Sequence, residues 1–359
     1  MRILTEKKIL IISSEHWDHH FLSKHHLSIA LARLGNTVYF LNPPGNKNEC
    51  ISLAKYPRLF LITYKPLIIG LHLLPRSLAT WFSKRDANRV KKIAEVDFDI
   101  VWTFDPFRFQ DIRIFNAHWT LYHVADIHRA KHEDRLADSV QLILGPSSEL
   151  LRRFDAVKSV CIGHMVNEDF VNRVPNTTVR TSARIQIGYV GNLLSRFLDY
   201  PLLVKSVLQN PQCEFTFIGD EKDIRGNQFW QQLIKLEYVH FEGTLPYHEL
   251  AKHFDRFDMF WCCYDTEKFF REASNSHKIL EYLATGKPVI STRLAYYLDK
   301  EDILYMPIKN NQLPELIKKV ASSIREYDNA ESQVKRVRFV REQTYERVLD
   351  RIDGILAAL

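Results

Sequence analysis

Short apolar runs alternate with amphipathic stretches along the first half of the chain. Residues 8–14 begin as an apolar run and end in serines, residues 21–34 carry apolar positions at helical spacing up to Gly35, and residues 37–42 form the next run. Short continuous runs predict buried strands, and spacings of three and four predict helices. Strands that alternate with helices are typical of βαβ units, so we expect a parallel sheet.

A second series of the same kind begins near Arg184. Its predicted strands run over 185–191, 214–220, 238–242, 259–264 and 289–292. The polar stretch 172–182 is the predicted linker. We therefore expect an α/β chain with two Rossmann-like, doubly wound domains, over residues 1–175 and 183–333, and a C-terminal helix over 334–359. Ligands bind such sheets at the carboxyl ends of the strands, and the cleft between two domains is the expected active site.

Length and composition agree with two domains of this class. The chain has 359 residues, of which 46% are apolar and 26% charged, and its longest apolar runs are far shorter than a membrane span. Five cysteines without a CxxC spacing indicate free thiols, which suits a reducing compartment. We therefore expect a cytoplasmic protein.

Charge is unevenly distributed. The net charge is +6, and the first 180 residues carry 25 lysines and arginines against 18 acidic residues. Between Arg58 and Lys92, basic residues interleave with aromatic and aliphatic ones. This pattern suits docking on the anionic inner leaflet of a membrane, and it equally suits a core-facing helix with a solvated basic side. No nucleic-acid-binding motif accompanies the charge, so we expect no nucleic-acid partner.

Residues 274–292 are the most informative stretch. Serines up to Ser276 offer N-caps, an apolar helical face follows, and Gly286 ends the helix. Lys278 and Glu281 lie three positions apart, so they share one face of the first turns. A helix start with a lysine suits a phosphate, and a carboxylate one turn later can accept bonds from sugar hydroxyls. The stretch therefore predicts a nucleotide-sugar site.

Four segments of the second half carry a family resemblance: 188–193, 217–219, 243–250 and 278–289. With these segments in this order, the chain resembles the GT-B glycosyltransferases. The first half resembles the variable acceptor-binding domain of that family in its pattern alone. The resemblance implies the GT-B fold, with the C-terminal helix crossing back to the first domain.

The resemblance also implies a reaction. A hexosyl or glycuronosyl residue would move from a nucleotide-diphosphate sugar of UDP or GDP type, the substrate, to a lipid-linked or oligosaccharide acceptor. GT-B enzymes usually need no metal and no further cofactor, so none is expected. The implied role is cell-surface polysaccharide synthesis, with the protein either free in the cytoplasm or peripheral at the inner face of the plasma membrane.

One departure from the family pattern bears on stereochemistry. Retaining members carry a glutamate eight residues before the position of Glu281, whereas this chain has Ala273 there, with Glu272 beside it. The layout is closer to glucuronosyltransferase-like and teichuronic-acid-type enzymes. Some of these invert, using an aspartate of the first domain as base, and Asp126 is its counterpart here. Inversion is favoured and retention stays open.

Glycosyl transfer requires a stabilised diphosphate leaving group. Lys278, Arg196 and the backbone at Gly191 and Asn192 are the candidates, because a glycine at a strand end lets the main chain approach a phosphate. Each candidate also has an alternative role without a ligand. Gly191 would then form an ordinary turn, Lys278 would be a solvated helix lysine, and Arg196 would be an ordinary loop residue. Ser276, two positions before Lys278, is a further candidate for donor binding. Glu281 is the candidate for the ribose hydroxyls, or else a surface glutamate that pairs with a lysine.

The nucleotide base and the proton acceptor have further candidates. Gly243 and Thr244 are predicted to lie near the base. Asp126 follows a predicted buried strand, and partial desolvation would raise its proton affinity, so it is the candidate general base. Its alternative role is to cap a helix over 128–136. The rival bases are Glu272, His123 and, more distantly, Asp105.

Histidines cluster after the first strand, beginning at His16 beside Trp17. Their spacing matches no established metal motif, so we expect no metal, and His16 and Trp17 are candidates for acceptor or donor contact.

Two functions other than glycosyl transfer stay open. A GT-B epimerase would alter the sugar of a nucleotide sugar without an acceptor, and an inactive GT-B pair would act as a binding or scaffold protein.

Overall fold

Two sheets organise the chain, one in each of two units. The computed structural model describes residues 2–19, 21–128, 133–171, 184–222 and 224–359. The first unit comprises Met1–Gly163 and Tyr345–Leu359, and the second comprises His164–Thr344. The predicted linker over 172–182 lies outside the described residues.

The first unit contains an eight-stranded sheet. Its strands are β1 (Lys8–Ile12), β2 (Thr37–Leu41), β3 (Glu49–Ser52), β4 (Leu59–Thr63), β5 (Ile100–Thr103), β6 (Trp119–His123), β7 (Leu142–Gly145) and β8 (Ser159–Cys161). Its helices are α1 (Ser23–Arg33), α2 (Arg76–Ala94), α3 (Glu133–Asp138), α4 (Ser148–Leu151) and, returning from the end of the chain, α13 (Tyr345–Ala358). The strand order is β3-β4-β2-β1-β5-β6-β7-β8, and every pair is parallel except β3 with β4.

The second unit contains a five-stranded parallel sheet in the order β11-β10-β9-β12-β13. Its strands are β9 (Ile185–Val190), β10 (Cys213–Ile218), β11 (Val239–Phe241), β12 (Met259–Cys262) and β13 (Val289–Ser291). Its helices are α5 (Glu168–Val171), α6 (Tyr200–Leu208), α7 (Gln228–Leu233), α8 (Tyr247–His253), α9 (His277–Leu283), α10 (Leu313–Ser322), α11 (Ile324–Tyr327) and α12 (Ala330–Arg341).

Both sheets have the composition that parallel strands require. The four residues from Ile9 to Ile12 in β1 are completely buried, as are Phe215 and Phe217 in β10. A parallel sheet is covered by helices on both faces, so its strands are apolar at consecutive positions rather than alternating. The two α/β units with parallel, Rossmann-like sheets confirm the predicted fold class.

The end of the chain differs from the single helix predicted over 334–359. It forms two helices, α12 and α13, and only α13 belongs to the first unit. Between them the chain is extended, because Thr344 forms a parallel bridge with Val166 and the Gln343 carbonyl accepts a bond from the Val166 N–H at 2.9 Å. Among the described helices, none is both long and apolar enough to cross a lipid bilayer.

Candidate functional site

The carboxyl edge of the second sheet is closed by glycines. Gly191, Gly219 and Gly243 follow β9, β10 and β11, and their backbones are linked: the Gly191 N–H donates to Ile218 O and the Gly219 N–H to Gly243 O, both at 2.8 Å. Gly191 and Gly243 have φ values of 141° and 51°. A Cβ on Gly219 would lie 2.1 Å from Gly191 O. Side chains are therefore excluded here, and the backbone itself forms this edge.

The strand order reverses beside this edge. β9 pairs with β10 on one side and with β12 on the other, so their carboxyl ends flank the topological switch point of the unit. Open α/β sheets bind ligands in the crevice at such a point.

Lys278 reaches across to the end of β9 from the first turn of α9. Its Nζ donates to Tyr189 Oη at 2.9 Å and lies 4.6 Å from the centre of that ring. A Cβ on Gly191 would lie 2.0 Å from the same Nζ, so the ammonium fills the space that the glycine leaves. The group is half-buried, and burial alone would lower its pKa, but the neighbouring Tyr189, Tyr264 and Cys262 groups raise the pKa overall. Lys278 therefore holds a fixed positive charge.

A pocket of about 250 Å³ opens at this point. It is lined by Asn192, Ser195, Phe197, Tyr264, Glu272, Ala273, Asn275, Ser276 and Lys278. Four of the predicted site residues, Asn192, Glu272, Ser276 and Lys278, are thus brought together. One wall follows β9 and another follows β12, which is where the strand order predicts a ligand.

Ser276 lines the pocket, but its side chain does not cap α9 as predicted. It occupies the N-cap position of α9 with extended backbone, but its side chain makes no capping bond. Its Oγ instead lies 3.0 Å from Tyr264 Oη. The pair joins the start of α9 to the residues after β12, so it shapes the pocket wall. Tyr264 was not predicted, because an aromatic residue after an apolar strand has the same sequence pattern as a core residue.

Glu281 is buried and paired within its own helix. Its Oε1 lies 3.3 Å from His277 Nδ1, and His277 Nε2 lies 2.8 Å from the Met165 carbonyl. Burial alone would lower the pKa of His277, but the bond to Glu281, its charge and the Met165 carbonyl raise the pKa overall. Glu281 is only 6% exposed and does not line the pocket described above.

Four further predicted donor residues, Gly191, Arg196, Gly243 and Thr244, are not part of the pocket lining. Arg196 is exposed, and its guanidinium lies 4.8 Å from the ring centre of Phe197, which does line the pocket. The Gly243 N–H donates to Glu221 Oε1 at the end of β11, and Thr244 beside it is exposed.

Three aromatic side chains form hydrogen bonds to the backbone at the end of β9 and in the turn after it. Trp230 Nε1 donates to Leu193 O at 2.9 Å, and Tyr200 Oη donates to the same carbonyl at 3.0 Å. Tyr282 Oη accepts from the Val190 N–H at 2.7 Å and lies 3.1 Å from the Val190 carbonyl. These contacts fix the position of the turn against α7 and α9, and no local sequence signal predicted them.

In the first unit, Arg108 ties together the carboxyl ends of three strands. Its Nε bonds to Asp105 Oδ2 at 2.6 Å, its Nη1 donates to Asn42 O at 2.7 Å, and its Nη2 donates to Ser13 O. These residues follow β5, β2 and β1, and the strand order of this sheet reverses between β1 and β5. Asp105, the most distant rival base, is thus already engaged in an ion pair. Arg108 was not predicted.

Lys24 and His123 are buried at the same edge of the first sheet. Burial lowers the pKa of Lys24 to about 8, with Asp105 opposing the shift, and its ammonium contacts Glu15. Burial likewise lowers the pKa of His123 to about 3, so its imidazole is neutral at physiological pH. The His123 ring stacks on Phe104 at 4.5 Å, and its Nδ1 has no hydrogen-bond partner among the described residues.

The other candidates of the first unit differ in exposure. Trp17 is only 6% exposed, and it packs on Phe40 with ring centres 5.0 Å apart, whereas His16 is exposed. Asp126 is half-buried, and its Oδ1 accepts from the Ile127 N–H at 2.7 Å. The alternative helix over 128–136 falls partly on residues outside the described ranges. Within those ranges, no group of three or more histidine, cysteine or acidic residues could hold a metal ion.

The sequence of the second unit is similar to that of known proteins. Residues 184–325 match the family model of group 1 glycosyl transferases. One curated relative is the Bacillus subtilis (strain 168) protein TuaH, assigned as a teichuronic acid biosynthesis glycosyltransferase. It is 27% identical over 110 residues, which is 31% of this chain and 27% of that relative. The alignment thus spans about a quarter of the relative's length.

Solved structures match the chain over nearly its whole length. Sucrose-phosphate synthase from Thermosynechococcus elongatus is 16% identical with a TM-score of 0.69, and the match covers 98% of both chains. Anabaena HepE, solved with UDP and glucose, is 14% identical with a TM-score of 0.66, over 98% of this chain and 100% of that one. The chain therefore has the GT-B fold of glycosyltransferases, and residues 184–325 are similar to the group 1 glycosyl transferases.

Proposed function

We propose that this protein is a metal-independent glycosyltransferase that moves a hexosyl or glycuronosyl residue from a nucleotide-diphosphate sugar to a lipid-linked saccharide acceptor. One observation carries the proposal. Lys278 is held against Gly191 at the carboxyl end of β9, and it lines the pocket at the topological switch point. The unit that contains this pocket matches the group 1 glycosyl transferase model. A preorganised cation at such a point suits the charge that develops on a departing diphosphate.

The donor is a nucleotide sugar of UDP or GDP type. Lys278 takes the diphosphate, with the backbone at Gly191 and Asn192 beside it and Arg196 free to swing from Phe197. The proposal gives Glu281 the ribose hydroxyls and places the base near Gly243 and Thr244. Anabaena HepE, which shares the fold, was also solved with UDP-glucose, and this supports a nucleotide-sugar donor.

The reaction forms one bond and breaks another at the anomeric carbon of the sugar. The acceptor oxygen attacks that carbon, the bond to the diphosphate breaks, and its electron pair leaves with the diphosphate. Asp126 receives the proton of the acceptor hydroxyl, and inversion follows from this single displacement. His123 and Glu272 are rivals for that proton: His123 Nδ1 has no hydrogen-bond partner among the described residues, and Glu272 lines the donor pocket.

The acceptor and the biological role are proposed from the relatives. TuaH is assigned to teichuronic acid biosynthesis, which supports a role in cell-surface polysaccharide synthesis. With a lipid-linked acceptor, the proposed site of action is the cytoplasmic face of the plasma membrane, with the protein peripheral to it.

Nucleotide binding and donor turnover test the proposal together. We expect UDP or GDP to raise the melting temperature of the protein, and the matching nucleotide sugar to be hydrolysed slowly without acceptor. Lys278→Met should weaken diphosphate binding at least about tenfold and reduce turnover at least about a hundredfold, because it removes the cation at the leaving group. Lys318→Met, at an exposed lysine of the same unit, is the matched control.

Each rival function gives a different result. If no nucleotide stabilises the protein, the transferase proposal is wrong and a binding or scaffold role is favoured. If the nucleotide sugar is recovered with an altered sugar still attached, the protein is an epimerase.

A further inference from the structure

Large apolar side chains are exposed together in one short segment of the first unit. Leu67, Ile69, Leu73, Leu78 and Trp81 are 38%, 91%, 78%, 48% and 45% exposed. Single exposed apolar residues are ordinary on protein surfaces, but a cluster of this kind marks an interaction site. We call these five side chains the apolar ridge.

The ridge is one structural feature because its loop is fixed to α2. The short 3-10 turn Leu71–Leu73 packs against α2, and the Leu67 N–H donates to Asp86 Oδ1 at 3.1 Å. Asp86 is itself 1% exposed on the inner face of that helix. The loop that carries Leu67, Ile69 and Leu73 is therefore anchored to the helix that carries Leu78 and Trp81.

The solvent face of α2 changes from apolar to basic along its length. Leu78 and Trp81 occupy its first turns, and Lys84, Arg85 and Lys92 continue the same exposed face. The Arg85 guanidinium lies 4.0 Å from the ring centre of Trp81, so the apolar and basic parts are in contact. The side chains of Ala87 and Val90 face the core.

Basic residues outnumber acidic ones along this segment. Residues 65–94 contain seven lysines and arginines and one acidic residue, the buried Asp86. Just beyond α2, Asp97 pairs with Lys91 at 2.9 Å. A surface that presents a tryptophan, aliphatic side chains and an excess of basic residues is complementary to an anionic bilayer, where the apolar groups enter the interface and the cations meet the headgroups.

We propose that the apolar ridge and the basic face of α2 dock the first unit onto an anionic phospholipid membrane. The surface belongs to elements other than the donor pocket, so the docking proposal and the transferase proposal can fail independently. A peripheral enzyme held in this way would meet a lipid-linked acceptor in two dimensions rather than three.

Vesicle co-sedimentation tests the proposal. The full chain should bind vesicles of phosphatidylglycerol and phosphatidylcholine, bind pure phosphatidylcholine at least about tenfold more weakly, and lose affinity as salt rises. Ile69→Ser with Leu73→Ser should lower the partition coefficient at least about tenfold, since two aliphatic side chains no longer enter the interface. Lys84→Gln with Arg85→Gln should lower it about tenfold at low salt.

Matched controls come from elsewhere on the surface. Val157→Ser removes an apolar side chain that is 85% exposed in the same unit, and Lys318→Gln with Lys319→Gln removes an exposed basic pair from the other unit. Neither should change partition by more than about twofold. Nucleotide-induced stabilisation of all these variants should equal that of the unchanged protein, which separates docking from donor binding.

Trp81 gives a second readout of insertion. Brominated phosphatidylglycerol should quench the tryptophan emission of the unchanged protein, and Trp81→Phe should lose most of that quenching. Of the other five tryptophans, Trp17, Trp102, Trp230 and Trp261 are buried, and Trp119 is half-buried at the start of β6, away from the ridge segment. The proposal is wrong if anionic vesicles do not bind the protein, or if the ridge variants and the controls bind equally. It is also overturned if the ridge variants abolish self-association or nucleic-acid binding while vesicle binding is unchanged.

Discussion

At Gly191 the backbone and a side chain from another element share almost the same space. A Cβ there would lie 2.0 Å from Lys278 Nζ and 2.3 Å from Lys278 Cε, and the φ of 141° is one that residues with side chains rarely adopt. The position of the Lys278 ammonium therefore depends on the absence of a side chain at Gly191. The first permits the position of the second, and a substitution at either position changes the charge at the switch point.

Gly191→Ala should displace the Lys278 ammonium without unfolding the unit. We expect nucleotide affinity to fall at least about tenfold and stability to fall by about 1–3 kcal/mol, the range for a residue held in an unfavourable backbone region. Isothermal titration with UDP and GDP, with thermal unfolding in parallel, measures both. Gly226→Ala is the control, because its φ is ordinary and its Cβ would meet nothing within 4 Å. Equal affinity in the two variants would contradict this account of the site.

His277 makes the stability of the second unit dependent on pH. Its pKa is raised in the folded state, since the Glu281 charge and the Met165 carbonyl outweigh burial. The folded protein therefore binds this proton more tightly than the unfolded chain. The resulting stabilisation is complete below the unfolded pKa of about 6.5, and it is lost as pH rises through the folded value.

The melting temperature lost on His277→Gln should accordingly be larger at pH 5.5 than at pH 8.5. Differential scanning calorimetry across this range measures it. His240→Gln provides the control, because that histidine is exposed and lies 4.0 Å from Glu214, a geometry that contributes little stability. A loss that stays constant, or grows, with rising pH would show that the His277 proton does not stabilise the folded state.

Among the helices and strands, the hydrophobic pattern predicted those whose structure is determined by their own local sequence. The strands β1, β2 and β9 and the helices α1 and α9 follow from apolar runs, helical spacing and glycine stops. β3 was not predicted, because Glu49–Ser52 has no apolar run and becomes a strand only by pairing antiparallel with β4. Its structure depends on a tertiary partner, and a local pattern contains no such information.

The same distinction applies to the site. Lys278 and the glycine turn were found because a lysine at a helix start and a glycine after a strand are local signals. The pairing of Glu281 with His277 was within reach, since the two residues are four apart on a helix. The side chains of Phe197 and Tyr264 in the pocket wall were not, because only the assembled sheet distinguishes an aromatic residue of a site from one of the core.

At the scale of the whole molecule, the first unit is built from both ends of the chain. α13 returns to it after the second unit is complete, and there it buries Val348, Leu349, Ile352 and Leu356. The Leu4 N–H donates to Asp353 Oδ1 at 2.6 Å, and Arg351 Nη2 donates to Ile162 O at 3.1 Å. The helix thus joins the beginning and the end of the unit's first segment.

Deleting residues 345–359 should unfold the first unit and spare the second. Four buried aliphatic side chains contribute about 1.5–3 kcal/mol each, and their sum is comparable with the whole stability of an ordinary domain, about 5–15 kcal/mol. The second unit keeps its own sheet and core, so its calorimetric transition and its stabilisation by nucleotide should persist while limited proteolysis degrades the first. Deleting only residues 357–359, which are exposed beyond Leu356, should change neither transition. If the protein without residues 345–359 resists proteolysis as the full-length chain does, α13 is dispensable for the first unit. If that deletion abolishes both calorimetric transitions, the two units do not fold independently.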